Sequence, residues 1–436
     1  MPHTWRRSRA ALLASLFMLA GTACTERGND QELDISAGIR DQLAALAIDP
    51  AVRAAFDHAV AAAPGLRDVL IELTEIPAPP FGEQLRAQRF AELLRDAGLD
   101  DVSIDAVGNV IGVRPGRTGE KTIALLAHLD TVFPAGTDLG VRTDGDTYYA
   151  PGIGDNSRGL VTILSVLRAM QHAALATDAT ILFIGNVGEE GPGDLRGVRH
   201  LFRDGAAAID TVIAVDGGNT NRLVWGGVGS HRYRVTYRGP GGHSWGAFGT
   251  ANPHHALGRA IALFDTSAAA VTRSGPKTTY NIGRVGGGTS VNSIPFESWM
   301  DIDLRSGSQQ QLERIDAVLQ SAIQQALDAE NAERSEGDAL TVAVERTGTR
   351  PASRGKRSSP LVQRAAAAMQ HFGLEPELSI ASTDANYPLS IGVPAITLSR
   401  GGISSNTHSP AESWQDKDAH VAVRLVLLTL IAEAGI

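Results

Sequence analysis

Cysteine is almost absent from this chain: Cys24 is the only one among 436 residues. No intrachain disulfide can form, and no thiol is left in the folded part to serve as nucleophile or metal ligand. Long Lys/Arg blocks are missing after the N-terminus, and the formal net charge is −9. A nucleic-acid partner is therefore not expected, because phosphate binding needs clustered cations. No apolar run is long enough to stay in a bilayer as a spanning helix, and no internal repeat is found. What is there is a chain with 43% hydrophobic and 20% charged residues, the balance of a soluble globular protein. Its length exceeds one ordinary core, so at least two domains are expected.

The N-terminus reads as a targeting segment over residues 1–24. Arg6, Arg7 and Arg9 precede an apolar run over 10–20, and the small residues Gly21, Thr22 and Ala23 precede Cys24. A charged region, an apolar region and a small-residue cleavage site direct export. The arrangement resembles a bacterial lipoprotein signal, which implies a periplasmic protein anchored by lipid at Cys24. Gly21 stands where such signals most often carry Leu, and simple secretion after Ala23 is the other reading. Residues 25–40 are polar and read as a tether.

The chemistry centres on Gly188-Glu189-Glu190-Gly191, which follows a buried strand pattern over 180–184. Adjacent side chains of an extended chain point opposite ways. One carboxylate can bind a metal while its neighbour reaches a water or a substrate; taken alone, the pair is as readily a solvated acidic turn. Other strand ends carry similar tips. His128 and Asp130 follow the apolar run 122–127, a pairing that suits a metal-bound imidazole with a carboxylate close behind it. Asp155 stands in a glycine-rich loop before a helical stretch over 160–170, either as a cap or as a ligand. Asp216 ends the apolar run 210–215, and His408 lies in the polar stretch 400–412. Ligands at the carboxyl ends of strands are the habit of open α/β sheets.

Helices are expected over 39–62, 66–75 and 83–97. Residues 41–222 and 350–436 alternate buried strands with polar tips and read as two parts of one catalytic domain. Between them, 223–349 runs β-α-β-β-α-β, the order of a ferredoxin-like insert. His243 sits there in the loop Gly241-Gly242-His243-Ser244. Two imidazoles and three carboxylates, His128, Asp155, Glu190, Asp216 and His408, suit two zinc ions with one carboxylate between them. Two metals about 3.5–4 Å apart can activate a water and polarise a carbonyl. Glu189 is then the free acid that takes the proton and passes it to a leaving amine.

Six motifs together resemble those of the dizinc metallopeptidase family of peptidase T, carboxypeptidase G, aminoacylase and succinyl-diaminopimelate desuccinylase. They are His128-Leu129-Asp130, Gly154-Asp155-Asn156, Gly188-Glu189-Glu190-Gly191, Val215-Asp216, Gly241-Gly242-His243-Ser244 and Thr407-His408-Ser409-Pro410-Ala411-Glu412. The resemblance implies a zinc-aminopeptidase-like three-layer α/β domain with an inserted ferredoxin-like lid, and a homodimer through that lid. It implies two Zn2+, with Co2+ or Mn2+ as substitutes. His128 and Asp216 would hold one ion, Glu190 and His408 the other, and Asp155 would bridge them across a cis Asp155–Asn156 peptide. Asp130 would support His128, and Glu189 would be the general base. His243 would stabilise the oxyanion, and Asn292 and Arg305 would contact substrate. Asp at 216, and Thr383-Asp384-Ala385-Asn386, lean toward the peptidase T and dipeptidase-like members. The expected substrate is a short peptide, with N-acyl-amino-acid deacylation or carboxypeptidase action as the alternative. A metal-binding scaffold lipoprotein is the non-enzyme alternative, and it would need neither Glu189 nor His243.

Overall fold

The computed structural model describes residues 33–205 and 208–436. The expected signal segment and Cys24 lie outside the described residues. No described helix is long and apolar enough to cross a membrane.

Among the described residues the largest sheet has nine strands. Along it run Asp101–Ile104, Val110–Arg114, Thr180–Asn186, Thr122–His128, Thr211–Val215, Ala395–Leu398, Arg222–Gly227 and Ser353–Arg354, while Glu377–Ala381 also pairs with Arg222–Gly227. The four central strands, from Thr180–Asn186 to Ala395–Leu398, are mutually parallel. Their carboxyl ends therefore share one edge. Such strands are covered on both faces and read as continuous apolar runs, and Thr122–His128 shows how. Ile123, Leu125 and Ala127 enter one core, among the helices Gly159–His172 and Ala419–Ala434. Ala124 and Leu126 point the other way, to a smaller core with Val198 and Leu201 of the helix Arg196–Leu201. The period-two alternation of a strand thus builds three layers from one run of sequence.

The insert is ferredoxin-like. Gly229–Arg238, Thr278–Gly287, Glu297–Ser306 and Thr341–Arg350 form an antiparallel sheet with Glu297–Ser306 and Gly229–Arg238 at its centre. Pro253–Thr272 and Gln309–Glu333 cover one face and share a separate core with it, including Val235, Phe264, Met300 and Leu319. The strand Glu297–Ser306 alternates buried and half-buried residues along its whole length.

Three expectations need correcting. The helix expected over 39–62 is two helices, Ala37–Ile48 and Pro50–Ala61, because Asp49 caps the second one. Its side chain accepts from Ala51 N (2.8 Å) and Val52 N (3.1 Å), and Pro50, which has no N–H to lose, starts the new helix. The tether expected over 25–40 is folded at its end, with Ile35 in the core and Ser36 N donating to Gln363 Oε1. The insert starts near Gly229 rather than at 223, because Arg222–Gly227 is buried and paired in the large sheet.

Arg86 fastens the edge near the parallel strand ends. Its guanidinium is buried and donates to the carbonyls of Thr74, Ile76 and Leu129. Arg86→Met should lower the unfolding free energy by about 2–3 kcal/mol, since it strands buried acceptors. A denaturant midpoint unchanged from the parent would contradict this.

Candidate metal centre

The shared strand edge gathers the side chains singled out from the sequence. His128 ends Thr122–His128. Its Nδ1 donates to the Asp130 carbonyl at 2.9 Å, which fixes the ring with Nε2 turned toward the cluster. That atom is buried and has no hydrogen-bond partner among the described residues. It lies 3.3 Å from Asp155 Oδ1. On the far side of the same carboxylate, Asp155 Oδ2 lies 3.3 Å from His408 Nε2, which is 2.8 Å from Glu190 Oε1. Asp216 follows Thr211–Val215 and completes a grouping with His128 and Asp155, while Asp155, Glu190 and His408 form another. Each grouping offers nitrogen and oxygen donors within one metal's reach, the donor set of a divalent zinc-type ion. The orphaned Nε2 of His128 and the two-sided Asp155 carboxylate fit such an ion.

A further grouping joins His128 to Glu189 and Glu190. Glu189, however, is engaged elsewhere. Arg350 Nη1 donates to its Oε1 at 2.7 Å, and Arg350 Nη2 donates to its backbone carbonyl. Its other carboxylate oxygen is left for a different task.

Much of the geometry is set by neighbours the sequence did not identify. Glu412 is buried and accepts from Gly152 N (3.1 Å), Gly154 N (3.0 Å) and Asp155 N (2.9 Å), fixing the loop that presents Asp155. Asn156 Nδ2 ties the same loop to Val215 O at 2.9 Å, and the peptide between Asp155 and Asn156 is cis, as the resemblance implied. Arg400 Nη1 donates to Asp155 Oδ1 (3.0 Å) and Asp216 Oδ1 (3.1 Å). Gly188, at φ 68, takes the left-handed turn that swings Glu189 off its strand.

Asp130 supports His128 through its main chain rather than through its side chain. Its carboxylate lies 3.8 Å from His128 Nδ1, whereas its backbone carbonyl holds the ring. The carboxylate instead accepts from Glu189 N (3.0 Å) and Glu190 N (2.7 Å). Asp130 therefore orients the ring through its main chain and the two glutamates through its side chain.

Burial and crowding move the ionisations. Burial pushes Glu189 well above the usual carboxylate range, against the pull of Arg350. Burial would also raise Asp155, but Arg400, His128 and His408 hold it well below that range. Asp384, which accepts from Asn186 at 2.8 Å, is pushed up to about 7 by burial. Hydrogen bonds to Asp155 and Glu190 push His408 up to about 10.

The insert's candidates lie apart from this cluster. His243 pairs with Ser293 in a short ladder, and its Nδ1 accepts from Trp245 N (3.2 Å) and Gly246 N (3.3 Å). Asn292 joins that loop, its carbonyl accepting from Ser244 N at 3.0 Å. Around them Trp245 and Phe248 are 88% and 84% exposed. Arg305 pairs with Asp303 at 2.6 Å.

Known proteins share this architecture. Residues 124–432 match the model of peptidase family M20/M25/M40. Over 335 residues the chain is 26% identical to carboxypeptidase G2 of a Pseudomonas species, covering 73% of this chain and 76% of that protein. Among solved structures, the aminopeptidase PepT of Bacillus cereus aligns with TM-score 0.68 at 22% identity, over 85% of this chain and 98% of that one. The di-peptidase Dug1p of Saccharomyces cerevisiae aligns with TM-score 0.66 at 14% identity, over 88% and 99%. These structural likenesses establish the shared fold.

A divalent ion entering beside His408 must displace the proton that Asp155 and Glu190 hold there. Metal uptake by the stripped protein should therefore release protons and tighten as pH rises across about 6 to 9. Calorimetric titration in buffers of different ionisation enthalpy measures this, and an affinity flat over that range would contradict it.

Proposed function

The chain belongs to peptidase family M20/M25/M40, a metal-dependent hydrolase family, and from that premise we propose that it cleaves amide bonds of short peptides at a dizinc centre. The observation that carries the reading is the placement of Asp155, with one carboxylate oxygen facing His128 and the other facing His408. A carboxylate so placed can serve two ions at once. In this reading His128 and Asp216 would hold one Zn2+, Glu190 and His408 would hold the other, and Asp155 would serve both. Bound there, the ions supply Lewis acidity to a water and to the scissile carbonyl.

The remaining work falls to the chain's own groups. Glu189 accepts the water's proton on the oxygen that Arg350 leaves free, and delivers it to the leaving nitrogen. Its low-dielectric surroundings, which favour the protonated form, suit it to the second half of that task. His243 donates to the oxyanion once the insert brings its loop to the centre. The exposed aromatic residues beside it support delivery to a second copy of the chain, the homodimer expected through the insert. In the same reading Arg305, forked and half exposed, binds a substrate carboxylate, and Asn292, beside the His243 loop, contacts the substrate.

Asp rather than Glu at 216 favours di- or tripeptides over N-acyl amino acids. A substrate panel pairing free dipeptides with their N-acyl counterparts tests this, and faster turnover of the acylated series would overturn it. Within the same panel Glu189→Gln should lower kcat by at least about 10²-fold while metal content stays at wild-type level. Near-normal turnover in that variant would remove the base from Glu189.

His243→Ala should lower kcat by about 10²–10³ with little change in KM. If His243 serves a partner's site, mixing His243→Ala with Glu189→Gln protein restores activity, because each hybrid dimer holds one intact site. No recovery after proven subunit exchange would assign His243 to its own chain's site.

A further inference from the structure

The loop that carries Glu189 and Glu190 is held from two sides. From the large domain, the Asp130 carboxylate takes both backbone N–H groups. From the insert, three residues grip the loop in succession. Arg350 donates to the Glu189 carboxylate and carbonyl. Arg232 Nη1 donates to Gly191 O at 2.9 Å. Thr349 N donates to Asp194 Oδ1 at 2.9 Å, and Arg199 returns a bond to the Thr349 carbonyl. Arg232 and Arg350 belong to adjacent strands of the insert's sheet, Gly229–Arg238 and Thr341–Arg350.

Arg350 is the one among these that reaches a reacting group. It is the last residue of Thr341–Arg350 and is only 4% exposed. Its Nη1 also donates to Ser382 Oγ at 2.8 Å, so the guanidinium has an anchor besides Glu189. A planar, rigid donor set of this kind sets direction as well as charge. Glu190 is anchored independently, through His408. A displacement of the insert's strand therefore moves the Glu189 carboxylate relative to Glu190.

We propose that Arg350 is a positioning residue that sets the Glu189 carboxylate and couples it to the placement of the insert. The proposal rests on Glu189 being the general base, and adds that its aim is governed from the insert. Arg350 touches neither water nor substrate in this role. It holds one carboxylate oxygen so that the other faces the reaction.

The test compares Arg350→Met, Arg350→Lys and Arg350→Ala in the metal-loaded enzyme. Arg350→Met should lower kcat by about 10²-fold while KM and bound metal stay within about threefold. Arg350→Lys, which keeps the charge but not the fork, should recover only part of the loss. Guanidinium added to Arg350→Ala should raise kcat, a response that damaged packing would not give. Combined with Glu189→Gln, Arg350→Met should add less than about a twofold further loss, because both act through one group. A kcat within about threefold of wild type in Arg350→Met, or a full additive loss in the double variant, overturns the proposal. If Arg350→Met does not fold, Arg350→Lys decides, and wild-type kcat in it overturns the proposal. Should Glu189→Gln itself stay active, the base assignment fails. An inactive Glu189→Gln beside a fully active Arg350→Met rejects the role of Arg350 alone.

Discussion

Negative charge gathered in a small buried volume is the constraint on which the rest of the structure depends. Asp130, Glu189, Glu190, Asp384 and Glu412 are all buried, with Asp155 and Asp216 beside them. Burying an uncompensated carboxylate is costly, so each has a donor or a cation assigned to it. Backbone amides serve Asp130 and Glu412. Arg400 lies between Asp155 and Asp216, Arg350 faces Glu189, and Asn186 serves Asp384. The two histidines meet the carboxylates that remain. Divalent ions would satisfy the same carboxylates more completely, which is why the donor set reads as a metal centre rather than as a structural ion-pair network.

Topology brings these groups together with little help from local sequence. Four parallel strands end on one edge, and the polar residues just beyond them fall side by side. His408 is added by a different device. It lies in the loop between Ile403–Ser405 and Ser413–Gln415, strands of a small separate sheet that also includes Thr147–Tyr149. Glu412, in that same loop, reaches back to the Asp155 turn. One short connection thus carries both a candidate ligand and the brace of another.

The legible part of the site was the part written locally. Each candidate ligand except His408 stands at a strand end or in a glycine-rich turn, and such positions show in the sequence as an apolar run meeting a polar tip. The insert was legible for the same reason, since its helices and strands have clean periods. What could not be read is pairing across distance. Arg350 meets Glu189 across 161 positions of sequence, and Glu412 meets Asp155 across 257. Nothing near Arg350 or Arg400 marks a guanidinium that will be buried. Asp130 was legible as the support of His128 but not as the holder of the two glutamates, because those amide partners lie 59 and 60 residues away. The break at Asp49-Pro50, by contrast, was locally encoded by a cap and a proline and was masked by the apolar richness on either side.

The insert enters and leaves through neighbouring strands, with Ser230 paired to Arg350. The two ends of the interruption in the main domain therefore lie side by side, and Ser353–Arg354 pairs with Arg222–Gly227 in the large sheet just beyond them. In terms of inheritance, such a segment is a cassette. It can be lengthened, shortened or exchanged while the strands flanking it keep their partners. Arg350 stands on the seam, so a lineage that traded the cassette would carry the scaffold across intact and still have to solve anew how its base is aimed.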